Sequence, residues 1–175
     1  MVSNTGVRYG LLGGAVVVFY FVLLYSIKPD LFLSPLLQWA SLGFYLLFMW
    51  QGARVDFQAY GAARDFRALL RTPFVVFLVI NLCYWVFYYA LHLYDANLLQ
   101  TEMAMEMTGI KAQIEAGIGD PQQANALREH MLDLEKSMQT APKQPLGPII
   151  TRMFIGALGG FALSAGVAAI FRSKA

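Results

Sequence analysis

His92 and Asp95 stand three residues apart, the spacing that puts two side chains on one face of a helix. An imidazole beside a carboxylate is the smallest arrangement here that could pass a proton. The pair shares a helical face only if the helix holding His92 continues as far as Asp95, and Asp95 can equally start a new helix. The other histidine, His130, follows Glu129 without an H-E-x-x-H pattern or a second nearby ligand. No G-x-S-x-G elbow is present, and Cys83 is the single cysteine, which excludes a disulfide framework and a cysteine-based metal cluster. No catalytic, cofactor-binding or metal-binding residue is therefore assigned. The chain reads as a non-enzyme, with His92 as an interfacial packing residue and a His92/Asp95 enzyme as the third choice of function.

A second group could bind rather than react. Asn81, Tyr84 and Tyr88 recur with spacings of 3 and 4, so one helical face carries a carboxamide and two phenols. Such a polar seam could receive a lipid or quinone head, or face the path of a small oligomeric channel or carrier. It could equally pack helices together, with the hydroxyls bonded across the bundle.

The elements that must hold these residues are apolar. Hydrophobic residues make up 58% of the chain and charged residues 14%, well below the ~25% charge of an ordinary soluble domain. Four runs, Tyr9–Ile27, Leu31–Ala53, Thr72–Tyr94 and Met153–Phe171, contain no Asp, Glu, Lys or Arg. Each is long enough to cross a hydrocarbon core of ~30 Å as a helix. The expected fold is all-α: four transmembrane helices with an extramembrane antiparallel helical hairpin between spans three and four. Residues 1–94 hold three spans with a basic cytoplasmic loop at 54–71. Residues 95–152 hold the hairpin and a proline-rich return at 140–148, and residues 153–175 the fourth span and a basic C-terminus. The absence of charge within the runs argues against a proton or ion pathway.

Basic residues set the orientation. Arg8, Arg54, Arg64, Arg67, Arg71, Arg172 and Lys174 cluster near the ends of the runs on one side, which the positive-inside rule assigns to the cytoplasm, both termini included. These arginines read as topology determinants facing anionic lipid, and not as a nucleic-acid surface. Arg64, Arg67 and Arg71 interleave with Phe66, Leu69 and Leu70 as a short interfacial helix leading into span three. The segment Asp95–Arg152 has eight acidic against five basic residues and is expected to be periplasmic.

Its internal pattern is helical. Met103, Met107, Ile110 and Ile114 recur with spacings 4, 3, 4, and Leu127, Met131, Leu134 and Met138 with 4, 3, 4. Between the stripes lies Gly117-Ile118-Gly119-Asp120-Pro121. The glycines can end one helix, Asp120 can cap the next, and Pro121 suits its first position. The methionine-rich stripe is adaptable: it can close the hairpin on itself, pair with a second copy or dock a partner. Small residues form a further pattern, Gly6, Gly10 and Gly14 in span one and Gly156, Gly160 and Ser164 in span four. Stripes of this kind let helix backbones approach closely, and either the other span or a second subunit could be the partner.

Several features together resemble one family: Tyr9-Gly10-x-x-Gly13 at the start of span one, and Gly61-x-x-x-x-Phe66 before span three. The tyrosine-rich end of that span before Asp95, the Met- and Glu-rich loop with its glycine turn, and the final Ile170-Phe171-Arg172-Ser173-Lys174 complete the pattern. In this layout the chain resembles DUF4199, small four-span proteins mostly of Bacteroidota with no assigned function. It departs from that family at Thr72-Pro73, where a glycine is usual. The resemblance implies a Gram-negative inner membrane and carries over no site residues. The leading expectation is a non-catalytic membrane subunit or scaffold, surrounded by lipid, that holds membrane or periplasmic proteins or further copies of itself. The channel or carrier is the alternative.

Overall fold

The computed structural model describes residues 4–60, 65–117, 121–139 and 146–173. The described elements are helices: α1 (Asn4–Ile27), α2 (Pro29–Leu33), α3 (Pro35–Tyr60), α4 (Phe66–Tyr94), α5 (Ala96–Glu115), α6 (Pro121–Gln139) and α7 (Leu146–Arg172). Among the described residues three helices, Thr5–Ile27 of α1, α4 and α7, are long and apolar enough to cross a membrane. The chain is a multi-pass membrane protein.

Four spans were expected, and the second is the one to be corrected. Proline explains the break. Pro35 has no amide hydrogen, and its ring pushes the preceding residue out of the helical region. Ser34 accordingly sits at φ −63°, ψ 120°, and the run Leu31–Ala53 is divided between α2 and α3. Gln38 and Gln51, with Trp39 and Trp50, then dilute the hydropathy of α3, which falls short of a span. The expectation that both termini lie in the cytoplasm counted four crossings and no longer follows from the count.

Other boundaries also move. Of the segment 54–71 read as a loop, α3 takes the residues to Tyr60 and α4 those from Phe66. Arg67 and Arg71 therefore lie on the first turns of a continuous α4, not on a separate short helix; Arg64 and Gly61 lie outside the described residues. α4 runs through Thr72 and Pro73, both buried. α7 begins at Leu146, so Gly147 and Pro148 are helical, while residues 140–145 of the proline-rich return, the Asp120 cap and Lys174 are outside the described residues.

The chain forms two compact units, Met1–Tyr88 with Leu146–Ala175, and Tyr89–Pro145. In the first, α4 is the shared core element. Gly6, Gly10 and Gly14 of α1 face Val75, Val79 and Cys83 of α4, and a Cβ built on Gly10 would stand 2.6 Å from that of Val79. On α7, a Cβ at Gly160 would run into the ring of Phe77. Both small-residue stripes are thus used on α4 and not on each other. Ser164, fully buried, turns its hydroxyl to the carbonyl of Gly160. Aromatic rings fill one end of the unit, where Phe21, Phe32, Tyr84, Trp85 and Tyr88 stack in series at centroid distances of 5.0–6.1 Å. At the other end Phe171 packs on Trp50 and Phe57. Large apolar side chains such as Phe19, Phe154 and Leu158 point outward, as in helices whose solvent is lipid.

In the second unit α5 and α6 lie against each other and run antiparallel. Glu106 meets His130, Ile114 lies near Met131, and Met107 near Met138. Asp95 starts α5 by accepting a hydrogen bond from the Asn97 backbone amide at 3.0 Å. This satisfies one of the four unpaired amides at the helix start. α5 ends at Glu115, and Gly117 just beyond its cap adopts the left-handed φ of +64° that favours glycine.

Candidate functional site

In the first unit, a cavity of about 490 Å³ opens between α3, α4 and α7. That is within the ~300–1,000 Å³ range of small-molecule sites. Its depth can be ordered from the helices themselves. Tyr45 of α3 stacks on Phe77 of α4 at 5.2 Å, and Phe77 covers Gly160 of α7. Those three residues mark one level, with Leu163 beyond it. Arg152 lies eight residues before Gly160, roughly 12 Å along the helix axis at 1.5 Å per residue. It shares the other level with Trp85, Gln38 and Trp39, which line the same cavity. The walls are mostly apolar, and their polar groups (Gln38, Ser41, Asn81, Arg152) gather toward the Arg152 end.

Asn81 sits between the two levels and is 6% exposed. Its Nδ2 donates to the carbonyl of Met153 at 3.2 Å, and its Oδ1 accepts from the indole Nε1 of Trp85 at 3.1 Å. A carboxamide engaged on both sides has its orientation fixed. In an apolar surrounding those bonds also remove the cost of burying it. Gly156 lies beside it: a Cβ there would be 3.5 Å from the Asn81 oxygen, an ordinary contact. Gly159 faces open space on the cavity side, with no atom within 4 Å of a Cβ.

The three residues expected to share a polar seam are divided. Asn81 and Tyr84 line the cavity, whereas Tyr88 is 2% exposed and held among Phe32, Tyr84 and Trp85. The sequence pattern marked Asn81 and Tyr84 but missed the opposite wall: Gln38, Ser41, Arg152 and Gly159 come from other helices. A signal was available for two of them, since Gln38 interrupts an apolar run and Gly159 adjoins the noted Gly160.

The histidines find partners other than those expected. α4 stops at Tyr94 and Asp95 caps α5, so His92 and Asp95 do not share a helical face. The His92 ring, fully buried, instead lies 3.1 Å from Glu102 of α5. His130 of α6 lies 3.0 Å from Glu106 and is half exposed. Glu102 and Glu106, one turn apart, thus each meet an imidazole. Among the described residues no group of three or more His, Cys, Asp and Glu side chains could hold a metal.

Of the candidate partner-binding residues, Ile114 with Met131 and Met107 with Met138 come together between α5 and α6. Ile110 is buried, while Met103, Met107, Ile114, Leu127, Met131, Leu134 and Met138 are half-buried. Leu132, 61% exposed, and Met105 lie outside that seam.

No curated protein and no solved structure matches the chain. The family described as Protein of unknown function (DUF4199) matches it over residues 8–173, nearly its whole length, and the chain belongs to that family.

Proposed function

We propose that the protein is a non-catalytic subunit or scaffold of a bacterial inner membrane, whose α5–α6 pair stands outside the bilayer and holds a protein partner. One observation carries this reading: of the eight apolar residues in the helical stripes of α5 and α6, only Ile110 is buried. Two helices of about 20 residues are marginal in water, and a seam left half open gains stability from a further helix laid on it. Its methionines can adapt to that helix. The histidines support a structural role, since His92 and His130 each spend a ring nitrogen on a glutamate. The inner-membrane assignment follows the family resemblance.

Purification from native membranes in mild detergent, with mass spectrometry and complex size on one sample, tests the proposal. A stoichiometric hetero-complex, weakened by Met107→Ser or Leu134→Ser, both half-buried on the seam, without loss of membrane insertion, is the expected result. A chain that runs alone, or only with copies of itself, would count against it.

A further inference from the structure

We propose that the cavity between α3, α4 and α7 is a binding site for one anionic phospholipid, with its phosphate at the Arg152 end and an acyl chain along the glycine-floored wall. Three features converge on that chemistry. The first is the grading of the walls. Gln38 and Arg152 occupy one end, Ser41 and Asn81 the middle, and Phe77, Gly160 and Leu163 the other end, which matches an amphiphile and not a wholly polar or wholly apolar molecule.

The second is the charge and where it sits. Arg152 lies six residues into α7, roughly 9 Å from its start at 1.5 Å per residue, and so near one end of a membrane-spanning helix. A guanidinium carries five N–H donors in a planar fork, a geometry that suits phosphate oxygens. Basic residues at this depth favour anionic over zwitterionic lipid. Gln38 and Trp39 at the same level are of the kinds that serve the interface, a hydrogen-bonding amide and an amphipathic ring.

The third is the floor. Gly156, Gly159 and Gly160 present bare backbone along α7. Gly160 is required by Phe77 and Gly156 lies at Asn81, but Gly159 is crowded by nothing. Helix packing thus accounts for Gly160 and leaves Gly159 unexplained. An acyl chain lying along that wall needs the room that a side chain at Gly159 would take.

The test uses the full chain purified in mild detergent, incubated with phosphatidylglycerol or phosphatidylcholine, with bound lipid read by native mass spectrometry. The unaltered protein should retain one phosphatidylglycerol, in preference to phosphatidylcholine by roughly fivefold, the factor one basic residue contributes near anionic lipid. Arg152→Gln should remove the preference while some retention of both lipids remains. Gly159→Phe should abolish retention of either, and Ala169→Phe, an equal enlargement at an exposed position of α7 away from the cavity, should change nothing. Thermal unfolding in the same detergent shows that each variant is folded. Equal retention of the two lipids by the unaltered protein, or full retention by folded Gly159→Phe, would overturn the proposal.

Discussion

The carboxamide of Asn81 donates to the backbone carbonyl of Met153, and this 3.2 Å bond ties the middle of α4 to α7 across 72 residues of sequence. The same side chain accepts from Trp85 one turn further along its own helix. Asn81 thereby couples an inter-helix contact to the orientation of an indole at the cavity wall. Replacing it with leucine should lower stability in detergent by about 0.6–2 kcal/mol, the span measured for hydrogen bonds between membrane helices. Trp85→Phe added to Asn81→Leu should cost less than the two separate losses combined, because the bond between them is lost only once. Additive losses in the unfolding midpoint would show that the two side chains act independently.

Glycine positions on the same helices should differ sharply. Gly10→Leu and Gly160→Ala drive a side chain into Val79 and Phe77 respectively, and overpacking of this kind costs about 1–3 kcal/mol. Gly43→Ala meets nothing within 4 Å and should be neutral or stabilising, by up to ~1 kcal/mol from helix propensity. Thermal unfolding of the three variants side by side checks the order.

Within the second unit, Ile110→Ser should open the α5–α6 seam, since deleting a buried aliphatic side chain costs about 2–5 kcal/mol. Leu132→Ser, at an exposed position, should leave the pair intact. Amide exchange along α5 and α6 separates the two: fast exchange in the first variant, unchanged protection in the second.

The two histidine–glutamate pairs predict unequal effects. His130→Ala removes a contact with Glu106 whose partners are 52% and 41% exposed, and it should cost less than ~1 kcal/mol, as exposed pairs do. His92→Ala removes a ring that is wholly buried and leaves a void, so its cost should be several times larger. Amide exchange of α5 in the two variants is the comparison to make.

Gly117→Ala should slow closure of the pair and cost about 1–2 kcal/mol, because an L side chain is strained in the left-handed region. Gly117→Asn, which tolerates that region better, should recover part of the loss.

Much of this organisation could be read from the residues. The 3–4 spacing of Met107, Ile110, Leu134 and Met138 predicts a helix on either side of Gly117, and α5 and α6 occupy those two stretches. The layout leading to DUF4199 could be recognised from short glycine and aromatic motifs. Absence of charge misled at Leu31–Ala53: Gln38, Trp39, Trp50 and Gln51 carry none yet lower the mean hydropathy of α3 below that of a span, and Pro35 divides the run at Ser34. The partner of His92 was equally hidden. Three-residue spacing pointed to Asp95, yet the chain turns there, and Glu102 arrives from the next helix. The cavity could be read only in part: spacing marked Asn81 and Tyr84 on α4, but Gln38 and Arg152 join them only once three helices have found their neighbours.

The position of α4 between the glycine faces of α1 and α7 has a consequence for biosynthesis. Translation delivers the helices in order, so α1 enters the membrane with Gly6, Gly10 and Gly14 uncovered until α4 follows it. α4 in turn waits, with the Asn81 nitrogen lacking its inter-helix acceptor, until Met153 has been made. A carboxamide bonded to Trp85 alone, without the Met153 carbonyl, belongs to the chain before α7 is made. Completion of α7 conceals it, and a cell that removes incomplete membrane proteins has in Asn81 a chemical difference to act on.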